Sequence, residues 1–181
     1  GDGDPNNVFA MKSLKKQYVV TRGISHIDAV FNFKKKTLKK LQYPFLVTFH
    51  CAFQTEQKMY FITDYIRGGE LFYHCRREGQ YNEEIARFYC AEICCALEYL
   101  HENHVFLYGL KPQNLLLTTE GHICINTLGV REFNSRGLSP EQDFDCVENF
   151  SGPEHYAPEI LEGYSFGKAA NFWNLGILCL N

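Results

Sequence analysis

"HVFLYGLKPQNLLL" (His104–Leu117) decides how the rest of this chain is read. An apolar run, Val105-Phe106-Leu107, gives way to a polar loop and then to "NLLLT", which reads as a short strand. The loop offers Lys111 and Asn114, but between Tyr108 and Leu110 it offers only Gly109, a bare backbone position. Upstream, Ile85, Phe88, Tyr89, Ile93, Ala96, Leu97 and Leu100 recur at helical spacing. Asn82 is the expected N-cap, with Glu83 and Glu84 in the first turn, where the helix dipole favours negative charge. Downstream, "HICIN" reads as another short strand, a polar stretch covers roughly 131–149, and "KAANFWNLGILCLN" reads as an amphipathic helix.

The segment before this core is different in kind. "NVFAMKSL" (Asn7–Leu14), "FLVTFHCAFQT" and "KMYFITDYI" read as strands, and "GISHIDAVFNFKKKTLKKL" (Gly23–Leu41) as a helix. "RGGE" (67–70) punctuates the chain between the two halves. Strands first and helices later predict an α+β protein of two lobes. The 181 residues carry a net charge of −3, which gives no electrostatic pull toward nucleic acid or an acidic membrane. No apolar run approaches the roughly 20 residues a bilayer requires, and "GDGDPNNVF" does not read as a signal peptide. The eight cysteines form no C-x-x-C pair, so Cys90, Cys94 and Cys95 are expected as small buried hydrophobes in a reducing cytosol or nucleus. His101, His104 and His122 lack metal-site spacing and are expected to be structural or solvent-facing.

In their order along the chain, these stretches resemble a protein kinase domain of the AGC serine/threonine group. "FAMKSLKK" is similar to the strand bearing the nucleotide-binding lysine, "YPFLVTFHCAFQTEQKMYFITDYIRGGELFYH" to the following strands, hinge and helix, and "ARFYCAEICCALEYLH" to the first long helix of the large lobe. "GLKPQNLLL" resembles the catalytic loop, "INTLGV" the metal-binding motif, and "YAPEIL" with "ANFWNLGIL" the end of the activation segment and the helix beneath it. "YFITDYIRGGELFYH" is most similar to serum- and glucocorticoid-regulated kinases. The resemblance implies a kinase-like bilobal fold: a small β-rich lobe over 1–66 without its glycine-rich hairpin, and a partial, mostly helical lobe over 67–181, incomplete at both ends. It also implies a nucleotide site. Lys12 would hold phosphates, Ala10 and Leu116 would sandwich adenine, Thr63 would be the gatekeeper, and Asp64, Tyr65 and Ile66 the hinge. Glu70 would touch ribose and basic substrate residues; Lys111 would serve in the catalytic loop and Asn114 would hold a metal ion.

The departures fall on the chemistry. Gly109 stands where the family places the aspartate that accepts the substrate proton, a loss of about 10²–10⁴-fold for a positioned general base. Tyr108 does not stand in easily, since an unperturbed phenol titrates at about pH 10. Thr127 stands at the metal-binding aspartate, and a neutral hydroxyl grips a hard dication far less well than a carboxylate. Lys34 stands where a glutamate would pair with Lys12; two ammonium groups at about 4 Å repel by roughly 4 kcal/mol at an effective dielectric of 20. Lys34 is therefore expected either to rotate into solvent or to share an anion with Lys12. Asn171 replaces the aspartate that anchors the catalytic loop from below, and "SGPEHYAPE" lacks the substrate-binding threonine. Leu38, Leu107 and Leu128, by contrast, keep the apolar positions of a spine between lobes.

The expected function is a catalytically impaired member of this group acting as a binding or scaffold module. Two alternatives stay open: an active ATP-dependent serine/threonine kinase, and a nucleotide sensor without turnover. ATP is expected to bind weakly at best and magnesium is not expected; the protein partner is unknown, and neither nucleic acid nor membrane is anticipated. The basic run 34–40 reads as a solvated face or as a contact for the acidic segment 141–148, whose carboxylates could mimic an activating phosphate.

Overall fold

The computed structural model describes residues 8–17, 27–79, 82–107, 110–132, 156–164 and 166–180. Gly109, the acidic segment 141–148 and the "SGPEH" stretch lie outside them, as does most of the opening "GDGDPNNVF".

Strands β1 (Phe9–Lys15), β2 (Phe49–Gln54) and β3 (Lys58–Asp64) form an antiparallel sheet in the order β1-β3-β2. Alternation drives it: along β3 Met59, Phe61 and Thr63 are buried while their neighbours are not. Helix α1 (Ile27–Lys40) lies on β2 and contributes Phe31 and Leu38 to the core, and Gln54 Nε2 donates to Asp28 Oδ1 at 2.8 Å.

Helix α2 (Leu71–Glu78) and the long α3 (Glu83–Glu102) begin the second half. Asn82 caps α3 as its sequence predicts, accepting the Ile85 N–H at 2.9 Å, and Arg87 pairs with Glu83 one turn along. Short antiparallel pairs follow: β4 (Val105–Leu107) with β7 (Val130–Glu132), and β5 (Leu115–Leu117) with β6 (Ile123–Ile125). Helices α4 (Pro158–Leu161) and α5 (Lys168–Leu180) complete the described elements, with α5 packed on α3.

One core runs through both halves. Leu38 of α1, Leu107 of β4 and Leu128 are all buried within it, alongside Phe61, Leu97, Leu100 and Ile125. A second cluster joins Phe106 to Ala157, Ile160, Phe166 and Ala170. The halves are also sewn together by backbone: Val47 N–H donates to Ile125 O at 2.9 Å, and Ile125 N–H to Phe45 O at 2.8 Å.

Two expectations need correction. Cys94 and Cys95 are exposed, not buried, because α3 buries Ile93, Ala96, Leu97 and Leu100, and a rotation of about 100° per residue carries positions 94 and 95 off that face. The helical stripe is apolar over its whole length but buried only in its second part, for Ile85 and Phe88 are exposed. On α5, Phe172 and Trp173 are exposed, whereas Leu175 is buried in the main core.

Candidate functional site

The β1–β3 register places Ala10 opposite Thr63 and Lys12 opposite Phe61. Thr63 is buried, its hydroxyl donating to Asp64 O at 3.2 Å. The Asp64 N–H donates to Thr48 O at 3.0 Å, and the Asp64 carboxylate meets His50 Nε2 at 2.6 Å. From the other half, Leu116 pairs with Cys124 across β5–β6 and bridges to Glu70. Burial, and then the nearby Asp64 charge, push the Cys124 thiol up to about 12, so it stays a neutral, apolar surface. Asp64, Cys124, Leu116 and Glu70 are thus brought into one neighbourhood, with Ala10 and Thr63 side by side across the strands.

Behind the hinge the backbone approach is close. A Cβ on Gly68 would sit 2.2 Å from Leu117 O, so no other residue fits without moving backbone. Leu117 N–H donates to Gly69 O at 2.8 Å, and His74 Nε2 meets Gly68 O at 2.7 Å. "RGGE" reads only as punctuation in sequence; nothing local announces that its first glycine touches a strand nearly fifty positions on.

Three lysines meet where the resemblance leads one to expect phosphate. Lys34 is buried, with its ammonium 5.9 Å from the centre of the Phe61 ring. This overturns the expected rotation into solvent: the apolar stem is held in the core and the charge rests over a ring face. Because Phe61 and Lys12 are directly opposed, their side chains leave the sheet on the same face, so Lys34 and Lys12 share it. Lys111 joins them. Burial first, and the Lys12 ammonium second, pull Lys111 below the ordinary lysine range. The nearness of Lys12 to Lys111 is not legible in sequence, since it depends on how the two halves meet.

Thr127, expected at the metal position, spends its hydroxyl elsewhere. Thr127 is buried and its hydroxyl donates to Val47 O at 3.2 Å, which commits it to the backbone of the first half. Asn126 Oδ1 accepts the Leu128 N–H at 3.0 Å and fixes the turn, while Asn126 N–H donates to Asn114 O at 2.9 Å. Asn114 is therefore held beside the Thr127 turn. Of the two positions, only Asn114 keeps the residue type of the family's metal ligand.

Below the loop lies a fully buried clamp. Asn171 Nδ2 donates to Leu107 O at 2.6 Å, and its Oδ1 accepts the Leu107 N–H at 3.3 Å. His101 Nε2 meets the same Oδ1 at 3.0 Å. Since Oδ1 only accepts, His101 must carry its proton on Nε2. Burial holds His101 below the usual histidine range, against the opposing pull of that hydrogen bond, so it is neutral. His122 is likewise structural: its Nδ1 meets the buried Glu92 at 2.5 Å, and Glu92 also accepts the Ile123 N–H at 2.8 Å. Among the described residues no group of His, Cys, Asp and Glu is placed to hold a metal ion, and no helix is long and apolar enough to cross a membrane.

The protein kinase domain family matches residues 2–181. The chain belongs to the protein kinase family. It is 42% identical to the RAC family serine/threonine-protein kinase homolog of Dictyostelium discoideum over 97% of its own length and 38% of that protein's. It is 38% identical to serine/threonine-protein kinase YPK1 of Saccharomyces cerevisiae, covering 97% of this chain and 25% of YPK1. It is 39% identical to human serine/threonine-protein kinase Sgk2, covering 93% and 44%. The AGC resemblance read from the motifs stands, and the chain spans less than half the length of each of these relatives.

Proposed function

We propose that this chain is a kinase-family domain with impaired phosphotransfer, acting as a protein-binding or scaffold module. The observation that carries this reading is the fate of the metal position: a threonine whose hydroxyl is spent on Val47 O, in a chain whose general-base position is Gly109. Phosphotransfer in this family rests on positioning and on metal-borne charge stabilisation, and both supports are weakened at once. The preserved core and the Asn171 clamp support a folded surface for a partner, because they keep the loop's frame without its reacting groups. No disulfide joins the described cysteines, which supports a reducing cytosol or nucleus as the setting. The net charge of −3 favours neither nucleic acid nor membrane as a partner.

A second reading has its own observation. Lys12, Lys34 and Lys111 together supply positive charge that could take a polyphosphate in place of magnesium. On that reading the chain senses nucleotide without turnover. The enzyme reading is favoured by the relatives, which are kinases by name.

Two measurements separate the three. Labelled phosphate transfer from ATP with magnesium should be undetectable; transfer that Lys12→Met abolishes would establish the enzyme and end the leading proposal. Thermal shift with millimolar ATP should be the same with magnesium or with a chelator. A shift in both arms supports the sensor, and no shift in either leaves the scaffold.

A further inference from the structure

Two helices far apart in sequence bring thiols together. Cys90 on α3 and Cys179 on α5 stand with their sulfurs 3.0 Å apart, within hydrogen-bonding reach. Cys179 is exposed to solvent and Cys90 is half-buried between the helices. Cys94 lies one turn along α3 from Cys90, is exposed, and is close enough for its charge and that of Cys179 to interact. Burial and the neighbouring thiols push Cys90 up to about 12, so of the close pair the exposed Cys179 is the sulfur that meets an oxidant first. With no metal-holding group among the described residues, the chemistry left to this cluster is thiol chemistry.

We propose that Cys90 and Cys179 form a reversible disulfide in response to a peroxide, clamping α5 against α3. The step balances with hydrogen peroxide as the oxidant. The Cys179 thiol takes one oxygen atom to give a sulfenic acid and one water. The Cys90 sulfur then attacks the Cys179 sulfur; the S–O bond breaks, the hydroxide leaves with the Cys90 proton as a second water, and an S–S bond forms. A dithiol reverses it by exchange. Little movement is needed, for a disulfide holds its sulfurs about 2.05 Å apart and these are within about 1 Å of that. The cross-link spans 89 positions and ties down the helix that carries Asn171, two turns from Cys179. The oxidised chain therefore holds its loop anchor more rigidly than the reduced one. This inference does not depend on whether the domain transfers phosphate.

The test uses the 181-residue chain, treated with hydrogen peroxide, blocked with an alkylating agent and digested without reductant. The expected product is a Cys90–Cys179 linked peptide, absent after dithiothreitol. The oxidised chain should melt higher by on the order of 10 °C, the effect of closing a long loop in a chain of this size. Cys179→Ser should lose both the linked peptide and the rise, while Cys94→Ser keeps them. Absence of the linked peptide, a Cys94–Cys179 link as the main product, or a linked peptide with unchanged melting each overturns the proposal. Should Cys179→Ser fail to fold, the unsubstituted chain compared with and without dithiothreitol decides the matter alone.

Discussion

Asn171 and Thr127 both stand where the motif resemblance leads one to expect an aspartate, and the structure uses them in opposite ways. At Asn171 the amide took over the structural task. It accepts from Leu107 N–H and His101 and also donates to Leu107 O, which a carboxylate cannot do. At Thr127 the alcohol took over nothing chemical; it turned to Val47 O and became part of the join between the halves. The difference teaches what each position was for. Anchoring a loop needs hydrogen bonds of the right geometry, which several polar groups can supply. Gripping a hard dication leans on negative charge, which a neutral amide such as Asn114 or a hydroxyl can supplement but not supply.

That comparison can be broken most sharply at the clamp. Asn171→Ala strands Leu107 N–H, Leu107 O and His101 in a fully buried site; at about 1–3 kcal/mol for each unmet group, and short of full additivity, the loss should be on the order of 4 kcal/mol in urea unfolding. A loss under about 1 kcal/mol would mean that the loop is held from elsewhere. Next comes the hinge. Gly68→Ala must displace Leu117 backbone and should cost roughly 2–3 kcal/mol, again by urea unfolding. Thr127→Val removes one buried hydroxyl bond and should cost about 1 kcal/mol. It should leave any thermal shift by magnesium unchanged; a shift that disappears with the hydroxyl would restore Thr127 as a ligand. The smallest effect is a pH slope. His101 is held below its ordinary value of 6.5, so the unfolded chain takes a proton there before the folded one does. Stability should therefore fall as pH drops through 6.5 toward the lowered folded value, and His101→Gln should flatten that part of the curve.

What the sequence made legible follows the range of the interactions. The Asn82 cap with its two glutamates, the strand at "KMYFITDYI" and the stripe 85–100 are short-range patterns; the cap and the strand are realised as read, and the stripe is buried only from Ile93 onward. Leu38, Leu107 and Leu128 were legible only through the family's spine, and the three share one core. Lys34 was misread because repulsion from Lys12 was weighed without the Phe61 ring, which lies on a different strand. The exposure of Cys94 and Cys95 was missed because apolar character was counted without asking which side of α3 they occupy. The cation cluster and the Gly68 contact join distant parts of the chain, and no local periodicity reports such a meeting.

The tight passage at Gly68 has a mechanical consequence. Residue 64 is tied by its N–H to Thr48 and must travel with the strands; residues 68 and 69 are wedged against and bonded to Leu117 and must travel with the opposite body. Within this connection, flexing is left to the torsions of Tyr65, Ile66 and Arg67, while the Phe45, Val47 and Thr127 bonds hold the two halves together elsewhere. The connection is three residues long, between the Asp64 tie to Thr48 and the Gly68 contact with Leu117.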